Sequence, residues 1–173
     1  MTTAKKPVEK TRTNLGPRPP QKPLPRITRI EMFVAILEIV KKRSTCNRNQ
    51  VAAIIVKDNR IISMGYGGSP SNTKHCTEVG CLIGPDGGCI RTIHAESNAI
   101  AFSARSGISI EGSTMYTSLS PCYNCAKLII NSGISSVIFL EKYRDDSGIK
   151  LIQSVGISVK QYENGRLRSV SMD

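Results

Sequence analysis

Apolar positions along the chain fall into blocks whose spacing changes character. Ile30, Phe33, Val34, Leu37 and Val40 recur at three- and four-residue steps, which places them on one face of a helix. Thr28 and Glu31 form a capping-box pattern at its start, where hydroxyl and carboxylate each satisfy an orphan backbone donor. Lys41, Lys42 and Arg43 follow where the helix dipole favours cations. VAAIIV, residues 51–56, is a continuous apolar run and reads as a buried strand. Asp58-Asn59 is turn chemistry and Ile61-Ile62 resumes extended structure, so a hairpin is expected. From Gly65 to Gly88 periodicity stops, and seven Gly and two Pro mark a long loop. Ile93, Ala95, Ala99, Ile100 and Phe102 restore a helical pattern from about His94. TMYTSL at 114–119 reads as a strand. A helix beyond Pro121, with Leu128 and Ile129 on its apolar side, is predicted to end near Gly133. VIFLEKY at 137–143, a helix around 148–155 and a weak strand at 157–162 complete the series. Strands alternating with helices predict an α/β protein built on a layered sheet.

Composition refines this outline. The 173 residues suit one domain with a short appendage. No run approaches the roughly 20 apolar residues of a spanning helix, and the first residues lack the apolar core of a secretory signal. The expectation is a cytoplasmic protein with no membrane partner. The net charge is +11, which raises the question of nucleic acid. Residues 1–29 hold eight basic side chains and one acid, so +7 lies there and +4 is left for the other 144 residues. Pro7, Pro17, Pro19, Pro20, Pro23 and Pro25 block helix and sheet ladders in the same stretch. Residues 1–27 are accordingly expected to be a disordered basic arm, and residues 28–173 the folded domain.

Six Cys and two His in a chain without a secretory signal point to metal or redox chemistry before disulfides. His94-Ala95-Glu96 opens one expected helix. Pro121-Cys122 and Cys125, a C-x-x-C, open another. A helix N-terminus favours thiolate over thiol, and Cys residues one turn apart project to the same side. One imidazole and two thiolates make three zinc ligands with one coordination position left open, the arrangement of catalytic sites. Glu96, two residues after His94, is placed to move protons beside that position. The H-x-E…P-C-x-x-C pattern is the one described for zinc-dependent nucleobase deaminases.

Four Cys remain: Cys46, Cys76, Cys81 and Cys89. Four thiolates are a full tetrahedral set, and a metal held by them would fix the shape of so Gly-rich a loop. His75 is an alternative to one of the thiolates, and ordinary reduced cysteines are the other reading.

TIHAESNAI and SLSPCYNCAKLIINSGI resemble the two active-site segments of the cytidine and deoxycytidylate deaminase superfamily. STCNRNQVAAIIVKDNRIISMGY, GGSPS and HC…GC…GCIRTIHAE are similar to its deoxycytidylate (dCMP) deaminase branch of bacteria and phages. The resemblance covers roughly residues 28–162. It implies a three-layer fold around a mixed five-stranded sheet. It implies hydrolysis of dCMP to dUMP and ammonia, feeding dTMP synthesis. It implies zinc on His94, Cys122 and Cys125, proton transfer by Glu96, and contacts to the amine and attacking oxygen from the Ser120 carbonyl and Cys122 N–H. A second, structural zinc on the remaining cysteines is implied as well. So are a homohexamer and control by dCTP and dTTP, with Mg accompanying a triphosphate effector.

Positions matching the family make Arg48, Lys74 and Tyr143 the candidate phosphate contacts and Tyr66 a candidate substrate contact, and Arg105 resembles a position linked to nucleotide specificity and effector response. The family commonly reads G-Y-N-G where this chain has Gly65-Tyr66-Gly67-Gly68; Asn72, five positions on, is the candidate replacement for the missing Asn. Ala52 replaces a common Gly. Both departures leave open a modified or differently phosphorylated cytosine nucleotide as substrate. A polynucleotide cytidine deaminase gripping its substrate with the arm is a rival; aromatics at 5% and the absence of Trp leave few stacking platforms for it. A zinc-stabilised interaction module without activity is a third reading, against which Glu96 stands, since a structural metal needs no proton shuttle.

Overall fold

The computed structural model describes residues 25–85 and 87–171. The expected arm lies outside the described residues except for its last three positions, which lead into helix α1, Arg29–Lys41. The capping box forms: Thr28 N–H donates to Glu31 Oε2 at 2.6 Å, and Glu31 N–H donates to Thr28 Oγ1 at 3.2 Å. These bonds hold the Glu31 carboxyl below its ordinary range.

Strands β1 (Ala52–Lys57) and β2 (Arg60–Tyr66) form the expected hairpin. Asp58 and Asn59 take φ of 49° and 60°, the paired positive values of a type I′ turn, whose twist matches that of the strands. After the long loop and its one-turn helix α2 (Cys76–Val79), α3 (Ala95–Arg105), β3 (Thr114–Leu119), α4 (Tyr123–Asn131), β4 (Ser136–Glu141), α5 (Ser147–Ser154) and β5 (Ser158–Glu163) alternate as the periodicity predicts.

A sixth strand, β6 (Arg166–Ser169), extends the expected five. Its sequence, Arg-Leu-Arg-Ser, has almost no apolar signal because it lies at the sheet edge, where charge discourages pairing with other chains. Asn164-Gly165, with φ of 50° and 77°, turns β5 into it.

The sheet order is β2-β1-β3-β4-β5-β6. β3, β4 and β5 are parallel neighbours, while β1, β2 and β6 join antiparallel. Alternate residues of β1 feed two cores. Ala52, Ile54 and Val56 pack with Phe33, Leu37 and Val40 of α1 on one face. Ala53 and Ile55 pack with Ala95, Ala99, Ala126, Ile129, Ile149 and Ile152 of α3, α4 and α5 on the other. A strand covered on both faces needs no polar alternation, which is why 51–56 is apolar throughout.

The inward stripe of α3 is Ala95, Glu96, Ala99 and Ser103, all small but for the glutamate. Phe102, expected to face the core, is 50% exposed, and Leu128 of α4 is 45% exposed. Gly65 supplies the reason for α3. A Cβ on it would lie 2.5 Å from the Ala99 amide nitrogen and closer still to the Ala95 carbonyl oxygen. Strand and helix touch backbone to backbone there, so only small side chains fit between them.

Candidate active site

β3 and β4 run parallel and end side by side, and each leads through a turn into a helix. Ligands of α/β sheets bind in the crevice outside such carboxyl ends. The two turns are tied together here. Ser120 N–H donates to the Glu141 carbonyl at 2.9 Å, and Tyr143 N–H donates to Ser120 Oγ at 2.8 Å. Gly148 of α5 lies against the first turn so closely that a Cβ would stand 2.8 Å from the Cys122 carbonyl carbon and nearer still to the Pro121 oxygen.

His94 and Cys122 occupy the N-cap positions of α3 and α4, with extended backbone (ψ 151° and 168°), and neither side chain caps its own helix. The two side chains meet across the helix starts instead. His94 Nδ1 lies 3.4 Å from Cys122 Sγ and 3.4 Å from Cys125 Sγ. Zinc–sulfur bonds of about 2.3 Å and zinc–nitrogen bonds of about 2.0–2.1 Å give tetrahedral N···S edges of about 3.5 Å. The donor set therefore fits a zinc ion in type and in spacing.

A hydrogen bond from Cys125, opposed by burial and aided by His94, brings the Cys122 thiol down to about 4. The same sulfur–sulfur contact, together with burial, pushes Cys125 up. Glu96, 7% exposed, has its carboxyl raised by burial, against lowering by its own amide and by His94.

The site borders a cavity of about 460 Å³, within the range of small-molecule sites. His94, Glu96 and Cys122 lie on its wall, as do the expected Arg48, Ser120 and Tyr143. Tyr66, Asn72, Lys74 and Arg105 are not on that wall. Tyr66 packs against the α1-side core, Asn72 occupies an exposed turn with φ 65°, Lys74 is exposed beyond it, and Arg105 ends α3 on the surface.

The wall also contains Asn49, Thr117, Tyr123 and Arg144, which the sequence reading did not single out. Their signal was positional. Asn49 is three residues past Cys46, Tyr123 lies inside the C-x-x-C, and Arg144 follows Tyr143, over whose ring its guanidinium carbon sits at 5.5 Å.

The four remaining cysteines also converge. Their sulfurs lie within 4.8 Å of one another, with Cys46–Cys81 at 3.9 Å and Cys76–Cys89 at 3.6 Å. The S···S edge of a tetrahedral zinc–thiolate site is about 3.8 Å, so one ion fits this set. His75 is not in the cluster.

The long loop is built around the cluster. Gly68 and Ile93 pair backbone to backbone at its base. Asn47 Nδ2 donates to the Cys76 carbonyl at 3.1 Å, and Arg48 Nη1 donates to the Gly87 carbonyl at 2.7 Å. Burial and neighbouring sulfurs push Cys76 up to about 12. Against burial, the Arg91 and Thr92 amides and the Cys76 thiol draw Cys89 down to about 6. Cys46 and Cys89 also border the cavity, so the cluster buttresses its wall.

Residues 28–141 match the cytidine and deoxycytidylate deaminase zinc-binding region. The chain belongs to that family. It is 40% identical over 139 residues to ComE operon protein 2 of Bacillus subtilis, covering 80% of this chain and 73% of that one. It is 37% identical over 145 residues to the deoxycytidylate deaminase of Enterobacteria phage T4, covering 62% of this chain and 75% of the phage protein. Among solved structures, the dCMP deaminase of cyanophage S-TIM5 in complex with dCMP and dUMP superposes with a TM-score of 0.69 at 32% identity, over 77% of this chain and 96% of that chain.

Proposed function

We propose that the protein hydrolyses dCMP to dUMP and ammonia. The observation that carries this reading is the convergence of His94, Cys122, Cys125 and the buried Glu96 at one end of a nucleotide-sized cavity. Zinc, when held there, supplies the Lewis acidity that makes water nucleophilic near neutral pH. Glu96 does the proton work: it accepts a proton from the attacking water, delivers it to ring N3, and moves a second to the departing amine. Its burial favours this, because a carboxyl raised from its ordinary range takes a proton more readily and can still release it. The Ser120 carbonyl and Cys122 N–H flank the reacting carbon, held by the Ser120–Tyr143 and Ser120–Glu141 bonds.

Arg48 and Tyr143 are the proposed phosphate partners, with Arg144 and Asn49 beside them on the wall. The cysteine cluster holds a second, structural zinc that keeps Arg48 in place through the loop it organises. Homohexamer assembly, dCTP and dTTP control with Mg, and an effector role for the exposed Arg105 belong to the same reading, as does a basic arm at 1–27 preceding the domain. No described helix is long and apolar enough to cross a membrane. The six unpaired cysteines suit a reducing cytoplasm.

The test is ammonia release from dCMP, CMP, dCTP, cytidine and 5-substituted dCMP, with metal counted by elemental analysis. Fastest turnover of dCMP is expected, with about two zinc ions per chain. No release from dCMP, with turnover of a 5-substituted nucleotide instead, would move the substrate to a modified base, as Gly67 and Ala52 allow.

A further inference from the structure

Cys125 is the deepest of the three candidate zinc ligands. It is 1% exposed and lies behind the cavity wall, whereas Cys122 faces the cavity. A buried anionic sulfur is costly unless hydrogen-bond donors face it. Solvent cannot serve Cys125 as it serves Cys122. Among the described residues a hydroxyl does face it: Ser97 Oγ lies 3.5 Å from Cys125 Sγ.

Ser97 is the third residue of α3, and Cys125 lies in the first turn of α4. A serine in a first helical turn ordinarily bonds to nearby backbone. This one reaches across to the neighbouring helix instead, from the same turn that carries His94 and Glu96. In a free thiol either atom of the contact can donate. A metal-bound sulfur has no proton, so only the hydroxyl then donates.

We infer that Ser97 is a positioning residue for the zinc: its hydroxyl donates to the Cys125 thiolate, stabilises the buried sulfur as an anion, and fixes α3 against α4 so that His94 and Cys125 keep their spacing. This rests on the zinc reading of His94, Cys122 and Cys125. Ser97 does not line the substrate cavity, so it acts through the ligand and not on the nucleotide. Donors to metal ligands of this kind typically govern about 10–100-fold in metal affinity or activity.

The test uses the full-length zinc protein and three variants: Ser97→Ala, Ser97→Thr and Ser97→Val. Thr and Val have nearly the same shape, and only Thr keeps the hydroxyl. Zinc affinity is read by chelator competition, with the four-thiolate cluster as an internal reference. In the cobalt-substituted proteins the thiolate-to-cobalt charge-transfer band is recorded as a difference from wild type.

S97A and S97V are expected to bind zinc at the His94 site about tenfold or more weakly. Both should shift the charge-transfer band to lower energy, because a sulfur without its donor gives up electron density more easily. S97T is expected to restore both. Wild-type affinity and an unshifted band in S97V would overturn the role of Ser97, and equal losses in S97T and S97V would reduce it to packing and overturn it as well. Wild-type protein that takes up no metal at His94, Cys122 and Cys125 would overturn the zinc reading itself.

Discussion

Gly65→Ala separates backbone entropy from steric exclusion, because the two predict opposite signs. Gly65 does not occupy the left-handed region, so alanine can adopt its backbone conformation. On entropy alone the substitution stiffens the unfolded chain and stabilises the protein by about 0.4–1 kcal/mol. The packing argues the reverse. The added carbon would sit 3.0 Å from Asn98 Cβ, 2.5 Å from the Ala99 nitrogen, and nearer still to the Ala95 oxygen. Two of those neighbours are backbone, which cannot rotate aside. Reaching ordinary contact of about 3.5 Å requires roughly 1 Å of separation between β2 and α3.

Overpacking of this kind costs about 1–3 kcal/mol; with mid-range values of about 2 for the packing and about 0.7 for the entropy, the net loss is about 1.3 kcal/mol, or roughly 3–5 °C in Tm for a chain of this length. The moving helix carries His94 and Glu96 at its start and Ser97 behind them. A 1 Å misplacement of reacting groups is worth about 100-fold in rate. Calorimetry and steady-state deamination of dCMP on the same preparations measure both quantities. A Tm at or above wild type with unchanged kcat/KM would refute the claim that strand and helix meet at hard contact.

Other perturbations address the remaining parts of the site. Glu96→Gln is expected to fold and keep its zinc while losing about 10²–10⁴ in kcat; near-normal turnover would remove Glu96 from the proton path. Because burial raises Glu96, the carboxylate is lost on acidification at a pH above the ordinary carboxylate value. In the metal-free protein the Glu96 carboxyl should therefore titrate above about 4.3, read as the step lost in a difference titration against Glu96→Gln, and a step at or below that value would contradict the assigned environment. Cys81→Ser should lower zinc from about two to one per chain and reduce stability, since structural sites contribute folding energy directly; unchanged stoichiometry by elemental analysis would argue against the four-thiolate site. Thr28→Ala should cost about 1 kcal/mol in denaturant melts through loss of the α1 cap, with catalysis unaffected because α1 packs on the sheet face opposite α3 and α4.

The order of elements was legible because most helices and strands here bury apolar residues at the period of their own geometry. Failures occurred where a different force sets the residue. Phe102 and Leu128 match a helical apolar pattern yet point outward, because backbone approach at Gly65 reserves the inner face of α3 for small side chains and α4 buries Cys125, Ala126 and Ile129 instead. Strand β6 carries no apolar run because an edge strand is selected for charge. The meeting of His94, Cys122 and Cys125 beside the buried Glu96 was readable from spacing, since the starts of α3 and α4 fix where such side chains emerge. Arg144 and Asn49 were not readable, as their place on one cavity wall is set by loops far apart in the chain.

The segment after Cys46 and the loop that ends at Cys89 link the four-cysteine cluster to the cavity. Arg48 reaches the cavity from a segment that begins at Cys46, and its guanidinium is fastened to the Gly87 carbonyl, two residues before Cys89. Cys46 and Cys89 each border the cavity while contributing sulfur to the four-cysteine cluster. A loop of this length has too few apolar groups to hold such a contact by packing alone. On the proposed reading the cluster therefore sets where the Arg48 guanidinium stands on the cavity wall, even though it lies outside the reacting centre. Weakening it in Cys81→Ser should raise KM for dCMP more than it lowers kcat, the reverse of Glu96→Gln. If both variants lost kcat alike with KM unchanged, the cluster would be supporting the whole fold and not the nucleotide-binding wall.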